Sequence, residues 1–347
     1  AALTAPAQNP NSAHSSEEDF MTHDSPAPRG GNTRPTAREE LEARLEEIEA
    51  ANHLLDPYAF SSRTLIQTTF PHSSKAGDKL VLKNGALTVT MISPNGLPYG
   101  VYPRLIMCWL TREALRRRDL PEDEARTIPL GSSLADFMRD VGITGRSGGR
   151  TGNITSLRRQ LRSLFTTMIT AEVADHENRD KHQIVFDQMQ NTLIAESSML
   201  WWDARNPEQL SLQDSSVTLT AGFYRELTCS AVPLDVAILR EIRRSPMAID
   251  LYCWMTYRAS YQRGITVVTW DQLRRQFGAG YQETPQGKRD FKKKLLEALE
   301  KVVVAWPEAA VDVTENGLML RPGAPSVPRR VHQEITKRYA TGSDNRF

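Results

Sequence analysis

Residues 269–306, TWDQLRRQFGAGYQETPQGKRDFKKKLLEALEKVVVAW, predict a short helix, a turn marked by glycine and a longer basic helix. In the longer helix, large apolar residues recur every three or four positions and therefore share one buried face. These residues are Phe291, Leu295, Leu299 and Val302. The cations on or beside the opposite face are Lys288, Arg289, Lys292 and Lys293. A helix-turn-helix presents cations to a DNA groove in this way.

A second copy of this pattern lies upstream. The predicted short helix SSLADFMRDVG (132–142) is followed by a link rich in Gly and Arg, and then by the predicted helix GNITSLRRQLRSLFTTMI (152–169). Its predicted buried stripe consists of Ile154, Leu157, Leu161, Leu164 and Met168. The cations predicted to face DNA are Arg158, Arg159 and Arg162 on the helix, with Arg146 and Arg150 in the link.

For either segment alone, a solvated surface helix is the competing interpretation, because Lys and Arg commonly occupy the outer face of an amphipathic helix. The context favours DNA binding. Each basic helix is followed by a predicted hairpin, formed by 309–313 and 318–321 in the second copy and by 169–178 and 182–188 in the first. Helix-turn-helix followed by a hairpin is the winged-helix pattern, so the predicted fold class is α+β with two winged-helix domains in tandem.

The composition is that of a soluble chain of about two domains, since 39% of its 347 residues are hydrophobic and 24% are charged. No apolar run is long enough to predict a membrane span, so a cytoplasmic protein is expected. The three cysteines are scattered and predict buried thiols rather than bridges or zinc ligands.

The net charge of +1 conceals an asymmetry along the chain. Residues 1–56 contain four Arg and eleven Asp or Glu, a net charge of −7, which leaves +8 for residues 57–347. A basic body is expected of a nucleic-acid-binding protein, because neutralising phosphates releases counterions and adds affinity.

The order of patterns predicts five segments. They are a disordered leader (1–37), an acidic helix (38–56), a first winged-helix domain for dimerisation and DNA contact (57–230), a second that is the main DNA reader (231–328), and a loose tail (329–347). The first domain is expected to contain a hairpin at 79–93, because an Asn-Gly turn joins two apolar runs there.

No pattern predicts catalysis, a metal site or a cofactor. The Gly-rich stretch 142–153 follows a helix and lacks the Gly-Lys-Ser/Thr ending of a phosphate-binding loop. The seven histidines form neither a His-x-His pair nor an HExxH motif. Acidic residues at 119–125 are more simply a solvated loop than a magnesium site. The chain is therefore expected to be a binding protein and not an enzyme.

Several phrases resemble those of RepA-type plasmid replication initiators. They are FPHSSK (70–75), SPNGLPYGVYPRLIMCWLTREALR (93–116), LGSSLADFMRDVGI (130–143), SPMAIDLYCWMTYR (245–258) and WDQLRRQFG (270–278). The resemblance spans about residues 68–327. It implies a tandem winged-helix protein that binds double-stranded origin DNA at direct repeats called iterons and helps to open adjacent A+T-rich DNA.

The same resemblance implies recruitment of the host initiator and replicative helicase, autorepression and a homodimer that dissociates into active monomers. It also implies a bacterial protein associated with the nucleoid or plasmid. We expect residues 57–230 to hold that dimer. Two alternatives remain open from the residues themselves. One is a winged-helix transcriptional regulator that binds an operator, and the other, less favoured, is a nicking or priming enzyme.

Overall fold

The structure is a computed structural model that describes residues 58–67, 69–74, 77–84, 87–143, 152–174, 187–202, 205–207, 209–211 and 215–328. The predicted leader, acidic helix and tail lie outside these ranges, as do Arg146 and Arg150. In the first half the elements are, in chain order, β1 (Tyr58–Ser62), α1 (Arg63–Gln67), β2 (Lys79–Asn84), β3 (Leu87–Ile92), α2 (Val101–Arg116), α3 (Glu122–Ala125), β4 (Thr127–Gly131), α4 (Leu134–Asp140), α5 (Asn153–Phe165), β5 (Met168–Ala174), β6 (Asp187–Leu193), β7 (Ala195–Met199), β8 (Ser215–Leu219) and α6 (Ala221–Cys229).

The second half continues with β9 (Ala231–Asp235), α7 (Val236–Ile242), α8 (Pro246–Tyr261), β10 (Thr266–Thr269), α9 (Trp270–Phe277), α10 (Pro285–Ala305), β11 (Val311–Val313) and β12 (Gly317–Leu320). The chain is therefore α+β, as the sequence predicts. Among the described residues, strands pair in four small antiparallel sheets ordered β1-β9, β2-β3-β5-β6, β4-β8-β7 and β10-β12-β11.

The predicted hairpin at 79–93 is present, with Lys79 opposite Ile92 and Asn84 opposite Leu87. It does not stand alone, because β3 also pairs with β5, the strand that follows basic helix α5. β5 in turn pairs with β6, with Ala174 opposite Asp187. The hairpin after α5 is thus part of a four-stranded sheet whose return strand includes 187–193, beyond the predicted 182–188.

Two large apolar cores correspond to the two halves. The first lies between α2, α4 and α5 and the strands around them, with Leu110, Leu134 and Leu161 fully buried. The second surrounds α8 and contains Tyr252, Phe277 and Phe291. Ile66 and Cys108 come from the first half of the chain but pack in the second core, so the two halves are joined by apolar contacts.

The last described segment returns to the first half. Val327, after β12, is 2% exposed and packs with Phe60 and Leu115. Just before it, the Ser326 hydroxyl lies 2.7 Å from the Tyr252 hydroxyl and 3.1 Å from that of Thr256 on α8. The described segment after the second hairpin therefore crosses α8 and packs against β1 and α2.

Candidate nucleic-acid interface

Helix α10 begins at Pro285. Proline suits the first helical position because an N–H there would have no acceptor within the helix. The Thr284 hydroxyl caps the helix by accepting a hydrogen bond from the Gly287 amide at 3.1 Å. The predicted stripe is buried as expected: Phe291, Leu295, Leu299 and Val302 are between 0% and 5% exposed. This fixes the rotation of α10 and therefore which side chains point to solvent.

The four predicted cations of α10 have different surroundings. Lys288 is exposed and lies 3.5 Å from Asp271 of α9, an ion pair that contributes little in water and can give way to a phosphate. Arg289 donates to Gln286 Oε1 at 2.8 Å from the same exposed turn. Lys293 is exposed as well. Lys292 is only partly exposed, and its ammonium lies 4.3 Å from the centroid of the Trp270 ring.

The hairpin β11–β12 lies beside this helix pair and pairs with β10 to complete a three-stranded sheet. Its tip is closed by the Thr314 amide, which donates to the Gly317 carbonyl at 2.8 Å. Gly317 is required here because a Cβ would lie 2.0 Å from the Val268 carbonyl oxygen. The order from α8 to β12 is helix, strand, helix, basic helix and hairpin.

Helix α5 carries the upstream cations. Ile154, Leu157, Leu161 and Leu164 are at most 4% exposed, and Arg158, Arg159 and Arg162 are exposed on the other face. The prediction that Met168 continues the stripe is wrong, because the helix ends at Phe165 and Met168 opens β5 with 38% exposure. Thr166 and Thr167 end the helix, and their hydroxyls bond back to the Arg162 and Ser163 carbonyls at 2.8 and 2.7 Å.

An open groove runs between α5 and strand β7. Arg158, Arg159 and Arg162 line one side, and Glu196, Ser197 and Ser198 line the other. The Glu196 carboxylate is paired with Arg126, so it does not leave an uncompensated negative charge in the groove. Arg159 also lies 5.8 Å from the Tyr99 ring centroid, which orients one guanidinium over an aromatic face. The groove is thus cationic on its helical side.

A buried ion pair joins the halves, and the residue patterns did not predict it. Arg104 of α2 donates from Nε and Nη2 to the two oxygens of Asp250 on α8, at 2.7 and 2.6 Å. Asp250 Oδ2 also lies 2.8 Å from His72 Nε2. The remaining Arg104 donors bond to main-chain carbonyls of Phe70, Pro71 and Gly100.

Both charged partners are almost fully buried, Arg104 at 5% and Asp250 at 7% exposed. Burial alone raises the pKa of Asp250, but attraction to Arg104 and the hydrogen bonds from His72 and Arg104 outweigh it and leave the pKa below its usual value. Three of the sequence phrases quoted above, at 70–75, 93–116 and 245–258, thus meet at one point. The motif spacing held no signal that would have paired them.

Within the described ranges, no group of His, Cys, Asp or Glu is arranged to hold a metal ion. None of the helices found there is long and apolar enough to cross a membrane. Burial is the main cause that raises the pKa of the Cys108 thiol to about 12. The charge of Asp250 raises this pKa further, and the charge of Arg104 lowers it. Cys108 is therefore a protonated core thiol rather than a nucleophile.

Comparison with known proteins gives both a family and two structural likenesses. No curated protein sequence matches this chain. Crystal structures of domains 2 and 3 of RctB are similar to it at 12% identity, with TM-scores of 0.46 and 0.42. The first match covers 75% of this chain and 96% of the RctB chain. The second covers 73% of this chain and 84% of the RctB chain.

The family model described as plasmid encoded RepA protein matches residues 97–272, which is half of the chain. The matched region runs from the loop before α2 to the start of α9, and so includes basic helix α5 and the Arg104–Asp250 pair. The chain belongs to the family of RepA-type plasmid replication initiators.

Proposed function

We propose that this protein starts replication of its plasmid by binding repeated double-stranded origin sites through two winged-helix modules. The observation that carries the proposal is the second module, in which α8, β10, α9, α10 and the β11–β12 hairpin follow one another in winged-helix order. Exposed Lys288, Arg289 and Lys293 lie on the helix that would enter the major groove. The chain's family membership supports the origin as the DNA target.

The first module supplies a second contact to the same repeat. Its elements follow in the order α2, the short α3, β4, α4, α5 and the β5–β6 hairpin, and α5 presents Arg158, Arg159 and Arg162. Arg146 and Arg150, in the link before α5, are proposed to extend this contact. The β5–β6 hairpin belongs to a four-stranded sheet with β2 and β3, and therefore forms a broader platform than the three-stranded sheet of the second module.

Binding at adjacent repeats would help to open A+T-rich DNA and recruit the host initiator and replicative helicase, with the protein acting by binding and not by catalysis. A homodimer held by the first module would repress its own promoter and dissociate for initiation. Mass action then makes protein concentration the signal for copy number. Sedimentation of the full chain at a series of protein concentrations measures the dissociation of the homodimer into monomers.

Footprinting on the parent replicon tests the proposed function. Protection of tandem direct repeats near the origin is the expected result. Protection of a single palindrome in a promoter would instead assign the chain to transcriptional regulation, and a protein-dependent strand break would assign it to nicking chemistry.

A further inference from the structure

Trp270 occupies the position where three parts of the second module meet. It is the first residue of α9, directly after strand β10, and it is only partly buried. Its main-chain amide donates to the Asn316 carbonyl at 3.2 Å, and its indole Nε1 donates to the Glu315 carbonyl at 2.7 Å. Both acceptors belong to the tip of the β11–β12 hairpin.

The ring of Trp270 also holds a cation of the basic helix. The Lys292 ammonium lies 4.3 Å from the ring centroid, within the range of a cation–π interaction. One side chain therefore contacts the hairpin tip through its N–H edge and α10 through its face. The ring also packs against the second core, so the same side chain joins core, hairpin tip and basic helix.

The backbone around Trp270 limits movement at the base of the contact. Thr269 and Gln272 form a reciprocal capping box at the start of α9, with the Thr269 amide donating to Gln272 Oε1 at 2.9 Å. Thr269 is also paired with Gly317 at the end of the hairpin turn. The indole bond to Glu315 adds a contact at the centre of the tip, which lies outside the paired strands.

We propose that Trp270 is the positioning residue that joins the hairpin tip to Lys292 of α10, so that hairpin and helix meet DNA as one preformed surface. This rests on the proposed function. Fixing the tip in advance removes the ordering cost that a loose hairpin would incur on binding. The tip should consequently determine which base pairs beside the α10 contact are recognised.

Hydrogen exchange in the free protein tests the positioning without DNA. Trp270→Phe retains an aromatic face for Lys292 but loses the indole N–H. Removing one hydrogen bond should speed amide exchange at 314–317 by about twofold to tenfold, with exchange in α10 unchanged. Exchange at the tip equal to that of the unsubstituted protein would overturn the inference.

Hydroxyl-radical footprinting on an origin repeat tests the consequence. Trp270→Phe should weaken protection beside the α10 contact and leave the α10 contact itself. Glu315→Ala is the matched control, because the acceptor is the main-chain carbonyl and remains. If Trp270→Phe speeds exchange at the tip but leaves the footprint unchanged, the role of the tip in recognition is overturned. If the unsubstituted protein protects no origin DNA, the proposed function is rejected, and hydrogen exchange alone decides whether Trp270 positions the tip.

Discussion

Lys292 shows how far residue patterns predict a binding surface. Its spacing from Phe291 and Leu295 places it beside the open face of α10, and the structure agrees. The pattern cannot show that the ammonium lies over Trp270, since that contact joins residues 22 positions apart across two elements. Lys288, Arg289 and Lys293 are consequently more accessible than Lys292, and we expect them to be the main phosphate contacts of α10.

Replacing Lys288, Arg289 and Lys293 together with Ala should abolish tight origin binding while leaving the fold intact, because all three are exposed. Each lost phosphate contact should reduce the log–log salt slope by about 0.9. Titrations at several salt concentrations measure this. Lys301→Ala, an exposed cation near the other end of α10, should leave the slope nearly unchanged. A triple variant with the slope of the unsubstituted protein would mean that α10 is only a solvated helix.

Asp250→Asn should destabilise the protein by about 3–5 kcal/mol at pH 7, because it leaves buried Arg104 without its countercharge. The folded-state pKa of Asp250 lies below its usual value, so its ionised form stabilises the fold at higher pH and that contribution is lost as pH falls through the lowered value. The difference between variant and unsubstituted protein should therefore shrink below about pH 4. Denaturant unfolding at pH 7 and pH 3.5 measures both, and equal differences at the two pH values would contradict the ion pair's role.

At the scale of elements, apolar periodicity predicts helices well where a whole face is buried. The sequence predicts the buried stripes of α5 and α10 correctly except at Met168. That prediction is wrong because the apolar spacing continues past Phe165, where the helix ends, into strand β5. The pair of β-branched residues Thr166 and Thr167 is the feature of the sequence that indicates the end of α5. In the structure their hydroxyls bond to carbonyls of the previous turn. The hairpin at 79–93 was predictable because its turn chemistry is local.

Phe291→Ala should cost about 3–5 kcal/mol, since Phe291 is 1% exposed and anchors α10 to the second core. Val304→Ala, on the same helix but 77% exposed, should change stability by no more than about 0.5 kcal/mol. Thermal or denaturant unfolding measures the pair. Equal effects from the two substitutions would mean that the helix is rotated and that its DNA-facing residues need reassignment.

Gly287→Ala should distort the start of α10. A Cβ at this position would lie 2.2 Å from the main-chain oxygen of Gln282, so the helix or the preceding turn would have to move. The expected cost is about 1–3 kcal/mol, together with weaker DNA binding because Lys288 and Arg289 follow directly. Gly264→Ala is the control, since nothing lies within 4 Å of its added Cβ. Unfolding curves and DNA titrations that do not separate the two variants would refute this packing argument.

At the scale of the whole molecule, the sequence supports two similar halves but is silent on their connection. β1 pairs with β9 across the predicted boundary near residue 230, so the first strand of one half completes the start of the other. The Arg104–Asp250 pair and the packing of Val327 against Phe60 strengthen the same junction. These contacts join residues more than 140 positions apart, where hydrophobic periodicity and turn motifs carry no information.

If the contacts at this junction persist on DNA, the protein sets the spacing of its two basic helices. Two winged helices that read one site should contact major grooves about one helical turn apart, roughly 34 Å. Inserting five base pairs between the two half-contacts would turn them to opposite sides of the duplex. Binding should then be reduced to that of a single module, and gel-shift titration against the intact repeat measures the loss.

Hydroxyl-radical footprinting of one origin repeat by three proteins tests the central claim most directly. The unsubstituted chain should protect two segments about one turn apart. Replacing Arg158, Arg159 and Arg162 with Ala should remove one segment, and replacing Lys288, Arg289 and Lys293 with Ala should remove the other. Protection of a single segment that survives the loss of either set of cations would contradict a protein that reads its site with two basic helices.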